Sequence, residues 1–188
     1  MENFRMRKKE KLVDFKNVFI PLLISYPFFL YIFIPPFDKI LLPIHFVVFY
    51  LTILLGRFYG LLAALVLPIL CNIMYNLPMT NILIPLIVEL VGISLWSERI
   101  FIDSRKDIEG GFVAATLSVM FGRVSYAILT YILKGTFIGI RQEPGRFILK
   151  SFYYSLPGIT IFILLGALLL PRVYRWYHTE ETEEGAAV

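Results

Sequence analysis

The chain has 188 residues, 58% of them hydrophobic and only 17% charged, with a mean hydropathy of +0.74. A water-soluble domain of that composition would expose apolar surface it has no means of covering, so the expectation is an all-α integral membrane protein. The net charge is +4 and, apart from an N-terminal run, the Lys and Arg are dispersed, so the expected partner is the lipid bilayer and not nucleic acid.

Residues 1–16 (MENFRMRKKEKLVDFK) form a basic segment resembling the start of a signal peptide. The apolar stretch Asn17–Ile34 that follows has no small-residue cleavage site and contains Pro21 and Pro27, so it reads as a retained first helix. Further apolar segments are expected at Ile40–Leu55, Tyr59–Tyr75, Ile82–Trp96, Gly110–Leu133 and Phe152–Leu170, giving a six-helix transmembrane bundle over residues 17–171. The second, third and fourth are short for a crossing at about 1.5 Å per residue. Breaks are expected at Pro35-Pro36, Gly56-Arg57, Leu77-Pro78, the charged run Ser97–Glu109 and Lys134–Ser151. The last of these mixes Phe137, Ile138, Ile140, Phe147, Ile148 and Leu149 with Arg141, Glu143, Pro144 and Gly145, the composition of a lid folded over the bundle mouth. Residues 172–188 form the C-terminal tail, and Thr179–Val188 (TEETEEGAAV) reads as disordered.

Lysine and arginine set the orientation. With both termini cytoplasmic, the inner side holds Arg5, Arg7, Lys8, Lys9, Lys11, Lys16, Arg57, Arg99, Arg105, Lys106, Arg172 and Arg175. The outer side holds Lys39, Lys134, Arg141, Arg146 and Lys150.

In that topology the strongly polar intramembrane residues gather in the outer half. His45 falls roughly 8 Å below the outer boundary, Glu89 roughly 10–12 Å and Arg123 roughly 15 Å, so Glu89 and Arg123 meet if their helices are neighbours. Asn72 and Asn76 share a face at the outer end of the third segment, and Tyr126 and Tyr154 stand on the same side. An ionisable group in hydrocarbon is costly unless paired or lining a cavity, so this set points to a substrate-binding site open to the outside. The bland readings are a structural ion pair for Glu89 with Arg123, an interfacial role for His45, helix-joining amides, and belt tyrosines. The inner half offers Thr52, Ser94, Thr116 and Ser118, hydroxyls that can bond back to their own helices.

Catalytic chemistry is not expected. His45 and His178, the only histidines, are far apart in the chain, Cys71 is alone, and no nucleophile–histidine pairing or Walker motif is present. No metal or other cofactor is expected, and the chain is not read as an enzyme.

Three patches carry a resemblance to a family. They are the run LLPIHFVVFYLTILLGRFYGLLAALVLPILCNIMYNLPMTNILIPLIVELVG, with Pro43, His45, Gly56, Gly60, Pro68, Asn72, Pro78, Pro85, Glu89 and Gly92; MFGRVSYAIL, with Gly122-Arg123; and SLPGITIFILLGALLLP. Together they resemble the substrate-binding S component of an energy-coupling factor (ECF) transporter. The resemblance implies a prokaryotic plasma-membrane protein with a vitamin-sized site under external loops. It also implies partners: a transmembrane coupling subunit and two ATPase subunits. By position, His45, Asn72, Asn76, Glu89 and Arg123 fall where the pocket would be. The Ala-x-x-x-Ala patch that many members carry on the first helix is missing here, where that helix reads NVFIPLLISYPFFLYIFI. The competing expectation is a membrane scaffold similar to the rod-shape-determining membrane protein of the cell-wall machinery.

Overall fold

The computed structural model describes residues 21–26, 42–75, 80–104, 107–133 and 143–178, and these are almost entirely helical, with no strand among them. The basic segment 1–16, most of the expected first crossing, Asn76, residues 134–142 of the expected lid and the tail Thr179–Val188 lie outside the described residues.

Among the described residues from 42 onward the helices are α1 (Pro43–Leu55), α2 (Arg57–Tyr75), α3 (Thr80–Asp103), α4 (Ile108–Ile132), α5 (Pro144–Leu168) and α6 (Leu170–His178). Residues 21–26 form a further helical segment, whose Leu23 is buried and whose Tyr26 meets Phe46 of α1. Arg57–Tyr75, Ile108–Ile132 and Gly145–Leu168 are long and apolar enough to cross a bilayer. Together with the composition, they make this a helical membrane protein.

α1 is the centre of the packing. Eleven of its 13 residues are buried, including Val47, Val48 and Phe49. A helix enclosed on all sides needs no polar stripe, and this one has almost none. It begins at Pro43, where the ring's fixed φ suits a first helical position and the missing N–H costs no hydrogen bond. Its aromatic residues tie it to α5: Phe49 and Phe46 pack against Phe162, and the Tyr50 hydroxyl donates to the Leu165 carbonyl at 3.0 Å.

Only Gly56 separates α1 from α2, at φ 96°, a left-handed turn that favours a residue without Cβ. The turn sends α2 back along α1. The inward face of α2 is Gly60, Ala63, Ala64, Leu67, Pro68 and Cys71, a helical period of mostly small residues that lets the backbones approach. The outward face carries Phe58, Leu62, Leu65, Val66, Ile69 and Ile73, all exposed and all apolar, as a surface against lipid tails requires.

Two expected breaks are corrected. The charged run Ser97–Glu109 does not interrupt the chain where it starts: α3 continues through Asp103, for 24 residues in all. Glu and Arg are good helix formers, and each charge here has a use. Glu98 Oε2 accepts from the Arg57 N–H at 2.9 Å, satisfying a free donor at the start of α2, and Arg99 pairs with Asp103 one turn on. α3 gives way to a turn at Ser104, and Asp107 caps α4 by accepting from the Gly110 N–H. The expected lid Lys134–Ser151 is likewise helical from Pro144, so α5 starts eight residues before the expected Phe152. Pro144 again takes the first helical position.

The C-terminal tail expected from residue 172 is helical at its start. In α6, Leu170 and Pro171 are buried and Tyr174 packs edge-on against Phe101 of α3, while Arg172 and Arg175 stay exposed.

Candidate functional site

Glu89 is 2% exposed, in the middle of an apolar helix. What surrounds it depends on how closely α3 and α4 approach. They meet at Gly92 and Gly122: a Cβ built on Gly92 would stand 3.4 Å from Gly122 Cα, and one on Gly122 would stand 3.0 Å from the Glu89 carbonyl oxygen. With no side chain between the backbones at this level, Arg123, next in sequence to Gly122, reaches Glu89. Arg123 Nε lies 3.1 Å from Glu89 Oε1.

His45 reaches the same oxygen from a third helix. It stands in the first turn of the buried helix α1, and its Nε2 lies 3.0 Å from Glu89 Oε1. One carboxylate oxygen is therefore shared by a guanidinium and an imidazole from two different helices. Neither N–H axis is aligned on that oxygen in hydrogen-bond geometry. The cluster is held by charge more than by directed hydrogen bonds. In a low-dielectric interior, a lone carboxylate at this depth would cost several kcal/mol, which the two basic neighbours offset.

Tyr126 extends the cluster along α4. Its ring is buried, and the Arg123 guanidinium carbon stands 6.0 Å from the ring centroid, at the outer limit of a cation–π contact. Thr130 follows on the same helix face, 1% exposed, its Oγ1 beside the Tyr126 hydroxyl but without an aligned hydrogen-bond partner. Sequence reasoning passed over Thr130. The signal was its spacing: Arg123, Tyr126 and Thr130 fall at i, i+3 and i+7, one stripe of a helix.

The remaining candidates are placed differently. Asn72 is half-buried on α2, one residue beyond the buried Cys71. Tyr154 is 60% exposed and packs edge-to-face on Tyr153, so it stands outside the buried cluster. Asn76 lies outside the described residues.

At the other end of the bundle, the Thr52 hydroxyl donates to the Val48 carbonyl at 2.7 Å and lies 3.2 Å from Ser94 Oγ. Thr116 and Ser118, expected to bond back to their own helix, instead have buried hydroxyls without a partner. Among the described residues, no three His, Cys, Asp or Glu side chains gather in the manner of a metal site.

No family model, no curated protein and no solved structure matches this chain. What the site can do is therefore argued from its own chemistry. It offers two basic side chains, one acid, a phenol and a hydroxyl, all buried among apolar helices. Such a set suits recognition of a polar solute or a tie between helices.

Proposed function

We propose that this chain captures a small water-soluble solute from outside the cell and passes it to an ATP-driven module, as the S component of an ECF importer does. The observation that carries the reading is the meeting of His45, Glu89 and Arg123 on one oxygen inside a helix bundle of bilayer length. Intramembrane ionisable groups are rare and face cavities, partners or transport paths. Six crossings with both termini cytoplasmic put this cluster in the outer half of a prokaryotic plasma membrane. The lysine and arginine distribution supports that orientation. The solute is a vitamin or a vitamin precursor, and the partners are a coupling subunit and two ATPases. Ala63 and Ala64 of α2 are buried inside the bundle, so they do not supply a docking seam in place of the missing alanine pair.

The test is purification from the native membrane under mild conditions. Co-purification with nucleotide-binding subunits, together with ATP-dependent uptake that Arg123→Ala abolishes while the protein remains inserted, is the expected result. Full uptake by that variant would reduce Arg123 to a structural role.

One observation favours the scaffold instead. Glu89 already has two basic neighbours, so the cluster can serve as a tie among α1, α3 and α4 with no ligand at all. Co-purification with cell-wall synthases, without ATPases, would decide for that reading.

A further inference from the structure

We infer that Arg123 and His45 form the donor side of a subsite for a carboxylate, so that the captured solute is a small organic acid rather than a neutral or cationic compound. The inference rests on the capture reading and narrows its substrate class.

Hydrogen-bonding capacity is the first ground. Guanidinium donates and never accepts, the Tyr126 and Thr130 hydroxyls can do either, and the one carboxylate facing the Arg123 and His45 nitrogens is Glu89. His45 Nε2 and Arg123 Nε both crowd onto Glu89 Oε1 without aligning on it, and Thr130 Oγ1 has no aligned partner. The His45 side chain is 7% exposed and Thr130 is 1% exposed, so bulk water does not complete these bonds. A buried donor left unmade costs about 1–3 kcal/mol. A site with donors in surplus is completed by a group that only accepts.

Charge is the second ground. A solute carboxylate bound here meets two basic side chains, Arg123 and His45, against the single acid Glu89. The titratable and charged side chains around this point are His45 from α1, Glu89 from α3, and Arg123 and Tyr126 from α4. A cationic solute would set a further positive group beside Arg123. A neutral amide would set its own N–H groups against donors already in excess. Guanidinium also matches a carboxylate in shape, offering two parallel N–H groups to its two oxygens.

The stripe from Arg123 through Tyr126 to Thr130 runs about 10 Å along α4. That length fits a solute whose acid head lies at Arg123 and whose body passes the Tyr126 ring towards Thr130.

The test uses acetate and benzoate against their neutral isosteres acetamide and benzamide, on the full chain in lipid nanodiscs at constant ionic strength. Saturable thermal stabilisation by the acids, at least ten-fold stronger in apparent affinity than by the amides, is expected. Arg123→Gln should erase that preference. Equal effects of acid and amide, preference for the amide, or no effect of either on the wild-type protein would overturn the inference, whether or not the variant folds. Failure of the capture reading is distinguishable from this. An acid preference in a protein that never associates with ATPase subunits keeps the subsite and removes the importer. ATPase association without acid preference does the reverse.

Discussion

Gly92 of α3 and Gly122 of α4 face one another so closely that a Cβ on the first would stand 3.4 Å from the Cα of the second and 3.0 Å from Ser125 Oγ. This contact sets the distance between the helices carrying Glu89 and Arg123, so the buried ion pair depends on two residues that make no polar contact with it. Gly122→Ala would place a methyl group 2.8 Å from Ile93 Cγ1 and 3.0 Å from the Glu89 carbonyl oxygen. Overpacking of this kind costs about 1–3 kcal/mol. Thermal unfolding in nanodiscs should register the loss, and an unchanged midpoint would show that α3 and α4 are not seated as described.

Removing the acid should be worse than removing the whole pair. Glu89→Ala leaves Arg123 and His45 buried without a counter-charge, and breaking a buried pair in this way costs about 3–5 kcal/mol. The double variant Glu89→Leu with Arg123→Leu should recover most of that stability and still fail to take up solute. A double variant as unstable as Glu89→Ala would contradict the account, and a full double-mutant cycle measures the coupling directly.

Gly60 is confined in the same manner at the opposite end of the bundle, where a Cβ would overlap Thr52 and stand 2.6 Å from Ser94 Oγ. Gly60→Ala is expected to cost about 1–3 kcal/mol, and Thr52→Ala made in the same chain should return part of it by clearing the space. Strict additivity of the two changes would argue against their contact.

Cys71 has no accessible surface. A membrane-permeant maleimide should leave it unmodified in the folded protein and label it on unfolding, since alkylation requires access to the sulfur. Rapid labelling under native conditions would mean that α2 does not pack its small-residue face inward. The same reaction offers a readout of stability for Gly122→Ala, Glu89→Ala and Gly60→Ala.

Much of the site was legible as depth along the chain. Residue counts at 1.5 Å per residue put Glu89 and Arg123 at comparable levels, and they meet at 3.1 Å. Rotation about the helix axes was not legible. Tyr126 and Tyr154 looked alike as tyrosines of the outer half, yet one is 5% exposed and the other 60%. Around a membrane helix both faces are apolar, so hydropathy gives little phase, and the phase comes from where glycine and alanine let a neighbour in.

Composition and local chemistry were enough to establish a helical membrane protein and the approximate position of most of its helices, because those properties follow from apolar length and from residues that begin or end a helix. The start of α5 at Pro144 is local, set by a proline in the first helical position. One boundary depended on a contact made across the bundle: the Ser97–Asp103 run stays helical while Glu98 caps α2. His45 joined Glu89 and Arg123 for the same reason. Sharing one carboxylate oxygen requires three helices to approach at one level, and that convergence comes from the packing of Gly92 on Gly122 and the enclosure of α1, neither of which is a property of any single segment.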